Sequence, residues 1–73
     1  MEKHLVCIDF DCVGMEQYEY YCLKAYSYLN SIGKAVYEGR SVHDCALFTL
    51  ESHYSKLDIE EELKNRYADS KVI

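Results

Sequence analysis

The sequence predicts a small α+β domain in which a short N-terminal strand, or a two-strand sheet if residues 34–40 join it, is covered by two or three helices. Three observations predict this. Residues 4–10, "HLVCIDF", are rich in β-branched and apolar side chains; residues 15–32 repeat apolar side chains at spacings of three and four; and the second half carries two capping-box patterns ahead of further apolar seams. An all-α three-helix domain, with residues 4–10 merely extended, is the alternative. The chain has 73 residues, is 49% hydrophobic and contains no linker, repeat or low-complexity segment, so it reads as a single domain over residues 1–73. A domain near this size buries only about 60–65% of its unfolded surface, and association with another chain would add burial.

Within "HLVCIDF", strand alternation places Val6, Ile8 and Phe10 on one face and Leu5, Cys7 and Asp9 on the other. Because Leu5 and Cys7 are apolar too, the strand is expected to be covered on much of both faces. In "MEQYEYYCLKAYSYLNSI", Met15, Tyr18, Cys22, Ala25, Leu29 and Ile32 form the seam of an amphipathic helix about 27 Å long. Gly33 would supply a left-handed stop, and Lys34 would meet the negative end of the helix dipole. The apolar stripe is unusually wide, broadened by Tyr21 and Tyr28 on one side and by Leu23 and Tyr26 on the other.

"KAVYEGR", residues 34–40, reads as a second strand pairing with the first or as a loop. Ser41-x-x-Asp44 reads as the capping box of a second helix, with Leu47, Leu50, Tyr54 and Leu57 as its seam and Val42 and Ala46 beside it. Asp58-x-x-Glu61 would open a third helix, "IEEELKNRYADS", that turns Ile59, Leu63 and Tyr67 inward and sets Glu60 with Lys64 and Glu62 with Arg66 as outer i,i+4 pairs. The tail "SKVI" is expected to fray.

Thirteen carboxylates against eight lysines and arginines give a formal net charge of −5. Nucleic-acid affinity rests on neutralising phosphates with basic side chains, so this balance argues against direct nucleic-acid binding; it suits a protein partner with a basic surface. No apolar run reaches the ~18–20 residues of a membrane span, and the N-terminus lacks the apolar core and cleavage site of a secretory signal. The expectation is a cytoplasmic protein, away from membranes, whose four cysteines are reduced thiols.

The stretch that most suggests chemistry is "IDFDCVG". It resembles the first motif of the haloacid dehalogenase-type phosphatases, Asp-x-Asp-x-Thr/Val after an apolar strand, with Asp9, Asp11 and Val13 in those slots. The resemblance implies a nucleophilic role for Asp9 and a general acid-base role for Asp11, with Mg²⁺ screening the phosphate. It covers about seven residues. Lys34 or Lys56 could stand for the family's lysine, but no distal acidic pair follows a later apolar strand. The expected role of Asp9 or Asp11 is therefore to close the strand and cap the turn that follows, and no enzymatic activity is expected.

Cys7, Cys12, Cys22, Cys45, His4, His43 and His53 are the residue types of a zinc site, but structural sites draw on tight pairs such as C-x₂₋₄-C. Cys7 and Cys12 fit that spacing only loosely, and Cys22 and Cys45 suit buried inert thiols. A Cys12–His4 nucleophilic pair has no readable oxyanion or substrate pocket beside it. Gly14, Gly33 and Gly39 match no nucleotide-binding spacing. No catalytic, metal or cofactor residue is assigned.

The tyrosines remain: eight in all, with no tryptophan, and five in the first helix. Tyr20, Tyr21 and Tyr28 cannot all enter one core with Cys22 and Leu29. Tyrosine buries large area at low entropy cost while its hydroxyl tolerates water, which suits interfaces. The expected function is a non-enzymatic protein-protein interaction module of inhibitor or adaptor type. It would dock through Tyr20, Tyr21 and Tyr28, supported by the carboxylates of Glu16 and Glu19. A structural homodimer is the second reading, and an Asp-x-Asp phosphatase-like fragment the third.

Overall fold

Alternation of period two governs more of this chain than its apolar spacings alone suggest. The computed structural model describes residues 1–10, 14–41 and 45–73. Among these the elements are β1 (Glu2–Ile8), α1 (Met15–Ile32), β2 (Lys34–Arg40), β3 (Ala46–Ser52), α2 (Lys56–Arg66) and β4 (Ser70–Val72). The strands form one antiparallel sheet in the order β2-β3-β1-β4, with both helices on one side, an α+β fold. The βαββαβ order is that of the split βαβ, or ferredoxin-like, arrangement, which says nothing by itself about function.

One hydrophobic cluster joins the layers. Val6, Ile8, Phe48 and Leu50 from the two central strands meet Tyr18, Ala25 and Leu29 of α1 and Ile59 and Leu63 of α2. The seam of α1 is as expected at Tyr18, Ala25 and Leu29, with Cys22 and Ile32 half-buried, but Met15 is exposed. Gly33 ends α1 in extended rather than left-handed backbone, which corrects the expected stop. What demands glycine there is close approach: a Cβ would overlap the Glu51 carbonyl oxygen and the Ser52 side chain. The buried Ser52 hydroxyl donates to the Ile32 carbonyl at 2.6 Å and accepts from the Tyr54 N–H, so it satisfies one of the open carbonyls at the helix end.

Four further expectations are corrected. Residues 34–40 are a strand, but β2 pairs with β3 and not with β1. The helix expected after Ser41 is β3, where Ala46, Phe48, Leu50 and Ser52 are buried and Leu47, Thr49 and Glu51 alternate with them. Ser41 closes the β2–β3 connection instead, its N–H donating to the Cys45 carbonyl and its hydroxyl accepting the Cys45 N–H; Val42, His43 and Asp44 lie outside the described residues. The cap of α2 is Ser55, whose hydroxyl accepts the Asp58 N–H, so the helix starts before the Asp58 box and leaves Leu57 72% exposed. Finally, "SKVI" does not fray. Ser70–Val72 pairs with β1 and buries Val72, and the Ile73 N–H donates to the Leu5 carbonyl.

Candidate functional site

The breadth of the α1 stripe follows from helix geometry, since side chains 100° apart cannot converge on one line. On the flank facing α2, the surplus is largely occupied within the chain. Tyr21 stacks on Phe10, which packs edge-on to Tyr18 and Tyr67. The Tyr28 hydroxyl donates to Glu62 at 3.1 Å, and the Arg66 guanidinium sits 4.0 Å from the centre of its ring. Glu62 and Arg66 thus meet at Tyr28. Burial first, and then Glu62, push the Tyr28 phenol above its ordinary range. Of the three tyrosines expected to dock a partner, only Tyr20 stands well clear, 54% exposed on the crest with the Lys24 ammonium 5.0 Å from its ring centre. Glu16 and Glu19 are exposed on the same helix.

The opposite flank, facing β2, is open. Leu23 is 68% exposed, and Met15 and Tyr26 are also exposed. Beside them, Tyr37 extends the apolar surface onto the edge strand, with Val36 at its rim. Two hollows of about 390 and 420 Å³ lie along this seam, both lined by Cys22, Leu23 and Tyr37. The second also takes in Met15 and Glu19. Its floor is anchored: the Tyr18 and Tyr37 hydroxyls hydrogen-bond at 2.9 Å, and Arg40 stacks on the Tyr18 ring at 4.6 Å. The Tyr18 phenol is pushed far up by burial, and then by its bond to Tyr37, so it stays protonated. Leu23 and Tyr26 were legible in the sequence as the second broadening of the stripe. Tyr37 was not, because its place beside α1 depends on which strand forms the edge.

The other motifs come apart on the sheet. Asp9 is half-buried after β1, its N–H donating to the Asp69 carbonyl at 3.0 Å, which continues the ladder toward β4. Asp11, Cys12 and Val13 lie outside the described residues, and with them the phosphatase-like motif and the Cys12–His4 pair. His4 is buried among the helix-facing side chains, with Nε2 3.6 Å from Glu2 and no hydrogen bond. Cys7 points to the other side of the sheet, hydrogen-bonded to Cys45; burial first, and then Cys45, push its thiol up to about 11. No group of three His, Cys, Asp or Glu side chains converges to hold a metal among the described residues. No helix among them is long and apolar enough to cross a membrane. Comparison with protein-family models, with curated proteins and with solved structures found no match to this chain, so its site is read from its own geometry.

Proposed function

We propose that this protein is a non-enzymatic binding module that docks a partner protein along the α1–β2 seam. The observation that carries the reading is the exposed apolar flank of α1, where Leu23, Tyr26 and Met15 stand outward beside Tyr37. Large side chains held in water on a regular scaffold gain most when a partner covers them, and aromatic anchors dominate such contacts. Tyr20 on the crest, with Glu16 and Glu19, supplies a polar and acidic rim. Together with a net charge of −5, this favours an occupant with an apolar anchor flanked by lysine or arginine.

Selection of a random-peptide library on the immobilised protein tests the reading. The expected winners carry one or two large apolar residues flanked by basic ones, and they lose about tenfold or more in affinity for Leu23→Glu and Tyr26→Ala. Enriched peptides that bind both variants as tightly as the parent, with the fold verified by circular dichroism, would refute it.

A further inference from the structure

The sheet face opposite the helices has its own pattern, and it is laid out in rows. Paired residues on neighbouring strands share a face and a height along the strands. The registers place Lys34, Glu51 and Lys3 in one row across β2, β3 and β1. The next row is Val36, Thr49 and Leu5, and the hydrogen bond from the Ile73 N–H to the Leu5 carbonyl brings Ile73 to its β4 end. The third row is Gly39, Leu47, Cys7 and Lys71. Beside Gly39, the Glu38 carboxylate accepts the Thr49 hydroxyl at 3.0 Å, which holds it on this same face. A middle row of this kind, with Val36 50% and Ile73 65% exposed, differs from the polar alternation of a sheet face that stays in water.

From this layout we infer that the open sheet face binds a second copy of the chain, related by a two-fold axis running parallel to the strands between β1 and β3. That operation keeps every residue at its own height and exchanges β2 with β4 and β3 with β1. Glu51 then faces Lys3 of the other copy, and Lys3 faces its Glu51. Val36 faces Ile73, Thr49 faces Leu5, and Leu47 faces Cys7. Glu38 faces Lys71 at the outer strands. Apart from Lys34, which has no β4 counterpart in its row and stays at the rim, the rows are complementary to themselves under this one operation, which is what an isologous interface requires. A two-fold axis perpendicular to the strands would instead set Lys3 over Cys7 and Glu51 over Leu47, burying two charges without partners. Aligned sheets cross at about 30°, which long lysine side chains span at the outer strands.

Four strands about 4.8 Å apart and some six residues long at about 3.3 Å per residue give each face roughly 400 Å², so the dimer belongs to the weak end of protein interfaces. It shares Val36 with the rim of the α1–β2 seam and is otherwise a separate surface.

Sedimentation equilibrium over a range of concentrations tests the inference. The expected result is a monomer of 8.6 kDa that converts to twice that mass in the micromolar range. Leu5→Asp should leave a folded monomer throughout. Lys3→Glu and Glu51→Lys should each weaken dimerisation about tenfold or more by placing like charges together, and the double variant Lys3→Glu/Glu51→Lys should return close to the parent value. A chain that remains monomeric at millimolar concentration overturns the inference, as does a dimer indifferent to Leu5→Asp. A double variant no tighter than its single parents overturns the assigned axis. Peptide binding at Leu23 is measured on the same variants and is expected unchanged, so failure of one surface is distinguishable from failure of the other.

Discussion

The two faces of the sheet are built from the same four strands and have opposite fates. Toward the helices, Val6, Ile8, Phe48 and Leu50 are wholly buried; one residue along, Leu5, Cys7, Leu47 and Thr49 keep part of their surface in water. Composition does not separate them, since both sets are largely apolar. What separates them is that α1 and α2 lie on one side only. The covered face therefore holds most of the energy that keeps the chain folded, and the open face holds apolar area that folding leaves unused. Edge protection follows the same division of labour. On β2, the bulge between Tyr37 and Gly39, where Gly39 takes a φ of 117°, breaks the regular edge, and Lys34, Glu38 and Arg40 give it charge.

The comparison is sharpest at paired positions on β3. Phe48→Ala should cost about 3–5 kcal/mol, whereas Leu47→Ala, one residue away on the open face, should cost less than about 1 kcal/mol at concentrations where the chain is monomeric. Urea denaturation of both variants measures the contrast, and equal losses would break it. Gly33→Ala should cost about 1–3 kcal/mol in the same assay, because the added methyl meets the β3 backbone rather than a yielding side chain. Ser52→Ala should cost about 1–3 kcal/mol, since it strips the Ile32 carbonyl of its buried donor.

A smaller effect separates the faces by pH. The Cys7 thiol on the open face and the Tyr18 phenol on the covered one both have folded values raised above their ordinary 9.0 and 10.0. The folded chain keeps protons that the unfolded chain releases, so their contribution is complete below about pH 9 and is lost as pH rises through 9 to 11 and beyond. Cys7→Ala should remove the part of this decline that begins near pH 9 and leave the later part due to Tyr18 and the other raised tyrosines, Tyr28 and Tyr67. Denaturation midpoints measured between pH 7 and 11 would show it, and an unchanged profile in Cys7→Ala would place the whole effect on the tyrosines. At neutral pH the Cys7 thiol should also react slowly with iodoacetamide.

Much of the covered face was legible before any coordinates. The spacing of Tyr18, Cys22, Ala25 and Leu29 located α1, and the β-branched run at residues 4–10 located β1 to within two residues at each end. β3 stands where a helix is expected because residues 46–57 satisfy two periods at once. Leu47, Leu50, Tyr54 and Leu57 repeat at helical spacing, while Ala46, Phe48, Leu50 and Ser52 repeat at strand spacing, and the second set is the buried one. The candidate site was half legible for a related reason. The excess width of α1 is visible in sequence, but that Phe10, Glu62 and Arg66 engage Tyr21 and Tyr28, leaving Leu23 and Tyr26 open, is a contact between distant segments.

The sequence by itself determined the elements whose stabilising contacts lie within a turn or two of themselves: the long helix and the existence of a second, shorter one. Only the tertiary structure decided that residues 46–52 and 70–72 are strands, that β2 is an edge, and which face of the sheet stays open. A strand has no internal hydrogen bonds to recommend it, so its identity is settled by a neighbour distant in the chain, as Phe48 is from Val6.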